Sequence, residues 1–251
     1  LKGERSDNGY TTIGIPTDYP FDHMYDETNY WTGQDLMNHL NQGRPMLNHV
    51  GHANETYVMK LSNSDITNAN FNGLNGINHN FTIVYTHGCL CGAFDYNDCI
   101  AEKMVTIDNF AAAFVGNSRY GWFNEGQTEG PSAHLHREYM DALYTDSLNR
   151  IGRAHMESKI ATASWVTAPG QWEPGALRWC FYDCNVLGDP AFAVFTDNLI
   201  SISTTYPATV LIGTPSMEVN ISSGGNPAAG LTCVAMKDGI VIGKSVTDAT
   251  G

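Results

Sequence analysis

The chain has 251 residues, 42% of them hydrophobic, 16% charged and 11% aromatic, which supplies a sizeable core and excludes a disordered tail. Its 26 acidic against 13 basic side chains leave a formal net charge of -13, which repels phosphate backbones and anionic lipid surfaces and excludes nucleic acid as an expected partner. No stretch approaches the roughly 18 uninterrupted apolar residues of a membrane span, and Leu1-Lys2-Gly3-Glu4-Arg5 lacks the apolar core of a signal peptide.

Residues 1 to 30 mix Gly, Pro, Asp and Tyr without periodicity. Trp31, Leu36, Met37 and Leu40 then fall at helical spacing before Gly43, which predicts a short helix over 31–40. Arg44 to Val50 is a compact strand-like run ending at Gly51-His52, and a polar loop is expected from Asn54. Phe81-Thr82-Ile83-Val84-Tyr85 is the clearest strand, β-branched and aromatic, and it runs out at Gly88-Cys89. Cys99 to Val105 reads as a helix and Phe110 to Val115 as a third buried strand, closed by Gly116-Asn117-Ser118. Helices are expected over Pro131 to Leu148, with Pro in the first turn, and over Met156 to Trp165.

Strands alternating with helices predict an α/β domain on a mostly parallel sheet, because parallel neighbours need a crossover and helices supply it. After Phe195-Thr196-Asp197 the character changes. Ser, Thr, Val, Ile and Gly dominate, and alternating runs such as Ser216 to Ile221 are separated by Gly-rich turns such as Ser223-Gly224-Gly225-Asn226-Pro227, the pattern of an all-β module. The expected organisation is therefore 1–197 and 198–251, the second part being short for a full sandwich. The chain begins without Met and ends at Thr250-Gly251 inside a strand-like pattern, which reads as a piece of a longer protein.

Six cysteines, Cys89, Cys91, Cys99, Cys180, Cys184 and Cys233, are too few for a disulfide-built scaffold, although one or two bridges are compatible with them, including a local one between Cys91 and Cys99. Neither close pair has the two-residue gap of a zinc knuckle. His134 and His136, two apart on a helix, face different ways and do not suggest a shared metal. Low Lys with abundant Asn, Gly, Thr and Tyr suits a secreted protein.

In open parallel sheets, sites form beyond the carboxyl ends of the strands. Two such ends carry reactive side chains: His52 follows Val50-Gly51, and Cys89 follows Thr86-His87-Gly88. A thiol is little ionised near neutrality, so a cysteine nucleophile needs a base that takes its proton and later passes it to the leaving amine. Backbone N–H groups of Ala53 and Cys89 are the candidate oxyanion donors. His87 is a rival base. A strand-end Cys is also ordinary packing, since Cys is among the most buried residue types. Arg119, Tyr120 and Trp122 share the rim after the third strand, either as surface packing or as a substrate-pocket wall.

Gly51-His52-Ala53, Cys89-Leu90-Cys91-Gly92-Ala93-Phe94-Asp95, Ile100-Ala101-Glu102, Val115 to Trp122 and Asn185-Val186-Leu187-Gly188-Asp189-Pro190, in this order and spacing, resemble successive blocks of the gingipain family of cysteine peptidases. The resemblance covers about residues 10 to 196. It implies the fold of the caspase and legumain clan followed by an immunoglobulin-like module, here incomplete, and a peptidase domain without the family's early strands. It also implies catalytic Cys89 and His52, with Trp122 as an aromatic wall of the pocket for the residue before the cut. Arg119, if it points inward, would favour an acidic residue there. No cofactor is required on this reading, structural calcium is implied by resemblance only, and the partners are protein or peptide substrates of a secreted or cell-surface bacterial enzyme.

The sequence departs from the family at Ala53, where Gly commonly follows the catalytic His. An alanine is harmless at negative φ and costs about 1 kcal/mol or more if the turn is left-handed. Glu4, Asp18 and Asp22 are unranked candidates for the acid that orients the His. Two other functions stay open: a non-catalytic surface or adhesin module on a peptidase-like scaffold, and a sortase-like acyl transferase using the same dyad.

Overall fold

The structure is a computed structural model and describes residues 1–7, 10–127, 129–167, 173–196 and 200–251. Contacts within the chain separate two compact units, Leu1–Thr196 and Asp197–Gly251. The change of pattern that the sequence places at 197–199 falls outside the described residues.

In chain order the first unit holds β1 (Arg5–Asp7), β2 (Tyr10–Thr12), α1 (Gly33–Leu40), β3 (Met46–His49), β4 (Ala53–Asn54), β5 (Tyr57–Val58), β6 (Leu61–Ser62) and β7 (Thr82–Thr86). There follow α2 (Ile100–Thr106), β8 (Ala111–Asn117), α3 (Pro131–Tyr144), α4 (Ile151–Thr162), α5 (Ala176–Asp183) and β9 (Cys184–Gly188). The central sheet has the order β3-β7-β8-β9, with β3, β7 and β8 parallel and β9 antiparallel beside β8.

Strand periodicity builds the layers. All five positions of β7 are buried, yet they feed two separate cores. Val84 and Phe114 pack with α1, α2 and the Val58–Leu74 region. Ile83, Tyr85, Ala113 and Val115 pack with α3, α4 and α5 on the other face. Successive side chains point to opposite faces, so near-continuous apolar runs are what a doubly covered strand requires.

Several boundaries differ from the sequence reading for local reasons. The first helix starts at Gly33 rather than Trp31, because Thr32 and Asp35 form a reciprocal capping box: Asp35 N–H donates to Thr32 Oγ1 at 3.2 Å and Thr32 N–H to Asp35 Oδ2 at 2.8 Å. The segment after Asn54 is a three-stranded antiparallel sheet, β4-β5-β6, made of two-residue strands too short to show alternation. The unpatterned start contains the β1-β2 hairpin, held on α3 by Arg137, which donates to Thr12 Oγ1 at 2.5 Å and Gly3 O at 2.8 Å, and by Asp141, which accepts from Ile13 N–H at 2.8 Å.

The sequence reading also lacks α5 and β9. There the chain passes from helix to strand without a loop, and Lys159 Nζ caps the junction by donating to Phe181 O and Cys184 O, each at 2.7 Å. All six cysteines are free thiols, so neither the one or two bridges compatible with the sequence nor the Cys91–Cys99 pair is formed.

The second unit is all antiparallel. Strands β10 (Ile202–Thr205), β11 (Asn220–Ser223) and β12 (Asn226–Pro227) form one sheet, and β13 (Thr232–Lys237) pairs with β14 (Ile240–Val246). The β13-β14 turn is Asp238-Gly239, both with positive φ, at 52° and 78°, the geometry that a tight hairpin's right-handed twist selects.

Candidate active site

The site grows from the carboxyl ends of the parallel strands. His49 closes β3 and Thr86 closes β7, and the two are joined at 2.7 Å through His49 Nδ1 and Thr86 Oγ1. Gly88 N–H donates to the same hydroxyl oxygen at 2.9 Å, so Thr86 Oγ1 ties the ends of both strands to the turn before Cys89. His87 N–H donates to His49 O at 3.1 Å. These bonds carry the β3-β7 ladder one step past the sheet and deliver Cys89 beside the segment that begins at Gly51.

The two strand ends meet at Gly88 and Ala53: a Cβ on Gly88 would lie 2.5 Å from the Ala53 methyl. Ala53 opens β4, and its φ is not positive, so the left-handed strain considered for this departure from the family pattern does not arise. His52, just before it, is exposed and makes no hydrogen bond among the described residues. It lies near enough to His49 to contribute, after burial, to holding that ring down at about 4. His49 is therefore neutral near pH 7 and His52 is the accessible imidazole.

Cys89 is partly buried, and its Sγ lies 3.7 Å from Gly121 O. Burial raises its thiol above the ordinary range, opposed by a main-chain contact at Gly121 and reinforced by the Asp183 charge. The resting group is therefore the neutral thiol. Leu90, the next residue, sits at φ 62°, and its N–H is anchored on Arg119 O at 2.7 Å, a backbone position that an L-residue occupies only when neighbours hold it. Cys91 is fully buried with Sγ 3.5 Å from Gly88 O, and burial pushes its thiol far up.

His87, the rival base, turns into the core. Its Nε2 meets His136 Nδ1 at 2.9 Å, and His136 Nε2 meets Asn48 Oδ1 at 2.8 Å, with the His136 ring stacked on Tyr85 at 3.7 Å. Burial, then the neighbouring His49, press His87 down to about 3. His134, two residues from His136, packs on Tyr10 with ring centroids 4.1 Å apart, so the two histidines serve different neighbourhoods. No group of three or more His, Cys, Asp or Glu with metal-binding geometry occurs among the described residues.

The rim follows β8. Arg119 forms a two-pronged ion pair with Asp95, at 3.0 and 2.8 Å, and its side chain is exposed. Trp122 exchanges main-chain bonds with Ser132 at the start of α3, 3.0 Å to its Oγ and 3.1 Å from its N–H, and packs against the second core. Asp22 pairs with Arg44 at 2.5 Å.

Three residues of this neighbourhood were not singled out from sequence. His49 and Asn117 are polar residues at the carboxyl ends of parallel strands, Asn117 closing an otherwise apolar run, a mismatch that is itself a signal. Asp183 is buried at the end of α5, with neither carboxylate oxygen in hydrogen-bonding geometry with a donor. Burial raises it to about 7, against Lys159, the Arg119 main chain and the Trp179 side chain.

A mixed sheet between helical layers, with a cysteine and a histidine just past the ends of neighbouring parallel strands, defines an α/β scaffold whose candidate site lies at the strand carboxyl ends. Residues 4–195 match the family model described as peptidase family C25, and the chain belongs to that family. The fold is similar to the crystal structure of the Arg-specific cysteine proteinase gingipain R, at 17% identity and a TM-score of 0.51 over 87% of this chain and 48% of that one. It is similar too to the complex of Porphyromonas gingivalis RgpB pro- and mature domains, at 18% identity and a TM-score of 0.50 over 87% and 49%. The chain thus spans about half the length of these structures. A comparison with curated proteins finds no match.

Proposed function

We propose that this chain is the catalytic part of a secreted cysteine endopeptidase in which Cys89 is the nucleophile and His52 its base. The observation that carries the reading is the packing of Gly88 on Ala53, which puts the residues preceding Cys89 and following His52 in contact. His52 takes the thiol proton, and Cys89 Sγ bonds to the peptide carbonyl carbon while the C=O electron pair moves onto oxygen. Collapse of that intermediate breaks the C–N bond, and the amine leaves with the proton from His52. Water, deprotonated by His52, then releases the acid and restores the thiol. Main-chain N–H groups of Cys89 and Ala53 serve the oxyanion, and Trp122 with Arg119 forms the wall of the pocket, Arg119 as a braced rim residue because Asp95 holds its guanidinium.

Secretion or display at a bacterial surface is supported by composition, and 198–251 is read as part of an immunoglobulin-like module on its antiparallel pairing. No helix is long and apolar enough to cross a membrane among the described residues. The presence of both Cys89 and His52 favours an enzyme over an adhesin scaffold. The arginine specificity of one structural relative makes an arginyl peptide the first substrate to try.

The test is covalent capture. A peptidyl chloromethyl ketone ending in arginine should label Cys89 in the folded chain, identified by peptide mass, and Cys89→Ala should abolish both labelling and peptide cleavage with no change in the unfolding transition. Turnover retained in Cys89→Ala would end the proposal.

A further inference from the structure

Asn117 closes β8 and is 2% exposed, and its side-chain amide spends both hydrogens on the turn that presents Cys89: Nδ2 donates to His87 O at 3.1 Å and to Gly88 O at 3.2 Å. The second lone pair of Gly88 O faces Cys91 Sγ at 3.5 Å. Beyond the nucleophile, Asn117 O accepts from Gly92 N–H at 3.0 Å. One residue thus grips the chain on both sides of Cys89. Its own main chain is fixed by pairing with Cys184 in β9.

The consequence comes from the peptide plane. In a trans peptide the carbonyl of one residue and the N–H of the next point in opposite directions. Holding Gly88 O on Asn117 therefore aims Cys89 N–H away from the core, and that N–H meets no acceptor among the described residues. Two consecutive carbonyls on one amide is not the alternation of an extended strand, in which they point to opposite sides; the turn is shaped for this grip. Gly121 closes over it so tightly that a Cβ there would fall 2.6 Å from Asn117 Nδ2.

We infer that Asn117 is a positioning residue that orients the Cys89 main-chain N–H as an oxyanion donor. The inference rests on the peptidase reading above and adds to it the group that sets this donor's direction. A buried amide that merely satisfied two carbonyls would matter to stability alone, whereas an orienting one separates steps that build an oxyanion from those that do not.

The experiment compares wild type with Asn117→Asp, which keeps the shape and loses both donors, and with Asn117→Ala. Hydrolysis of an arginyl peptide amide should lose about 10² in kcat, as for the loss of one oxyanion donor, with KM within about threefold. Acetyl-Leu-Leu-argininal, whose hemithioacetal places an oxygen in the same position, should bind weaker by a similar factor, while alkylation by iodoacetamide, which builds no oxyanion, should stay within about twofold. In the substrate-free protein the Cys89 amide ¹H–¹⁵N signal should move, and those of Ile83 and Val84 should not. Unchanged kcat and aldehyde affinity with an unmoved Cys89 signal would overturn the inference, as would parallel losses in turnover and alkylation. A wild type that neither cleaves peptide nor binds aldehyde would sink the peptidase reading instead, and the Cys89 signal would still decide whether Asn117 sets that N–H.

Discussion

Gly88 and Ala53, from strand ends separated in sequence, are packed so closely that a side chain on Gly88 would start 2.5 Å from the Ala53 methyl. One methyl fits between the two loops, and Ala53 supplies it.

The pairing predicts a coupled double mutant. Gly88→Ala overfills the contact and should cost roughly 1–3 kcal/mol, with a large loss of turnover as Cys89 shifts. Ala53→Gly should cost about 0.5–1 kcal/mol through backbone freedom, with no gain in turnover, since Ala53 has no positive φ to relieve. The double variant should recover part of the Gly88→Ala loss, because the residues touch. Strict additivity in denaturant titrations would show that the loops do not pack as described.

His52 and His87 should fail in different ways. His52→Ala removes an exposed imidazole and should lower the acylation rate by about 10² to 10⁴ while leaving the melting temperature unchanged. His87→Ala strands His136 without its 2.9 Å partner and should cost about 1–3 kcal/mol of stability. Equal rate losses with equal melting temperatures would reverse the assignment of roles.

The pH dependence of stability should be dominated by histidines. Burial holds His134 and His155 at about 4, His49 at about 4 and His87 at about 3, and lowers His136 well below the ordinary histidine range. Each has a folded value below its ordinary 6.5, so each contributes stability that is present above pH 6.5 and is lost as pH falls toward 4. Glu138 and Asp183, both raised to about 7 mainly by burial, act oppositely and lose their contribution as pH rises through 7. Five groups outnumber two, so the melting temperature should fall on acidification from pH 7 to 4.5. His134→Phe should flatten that slope and Asp183→Asn should steepen it; a pH-independent melting temperature would contradict the burial of these rings.

Arg119 is predicted to be a brace. With its guanidinium on Asp95, Arg119→Ala and Asp95→Ala should lower turnover alike by loosening the rim, without changing the ratio of cleavage after acidic and neutral residues. A selective change in that ratio for Arg119→Ala would mean that the side chain turns inward to substrate.

The two compact units predict a divisible chain. Limited proteolysis should release a fragment ending near residue 196 that keeps its cooperative melting, since its cores lie on the two faces of its own sheet. Loss of all folded material after a cut there would show that the units depend on each other.

Local chemistry settled much of this protein before any tertiary information. Apolar runs marked β3, β7 and β8, helical spacing marked α1, residue pattern placed α2 and α3 within four residues and α4 with its start five residues late, and reactive side chains just past Val50 and Gly88 pointed to the strand ends, because residue type and period act over a handful of positions. What needed the folded chain was everything set by partners distant in sequence. The antiparallel β9, the fate of His87 against His136 and Asn48, the pairing of Arg119 with Asp95, and the grip of Asn117 on the turn before Cys89 are all long-range contacts. No window of sequence contains both sides of them. A side chain's ionisation and direction follow from what surrounds it, and only the packing of the sheet between its two helical layers decides that.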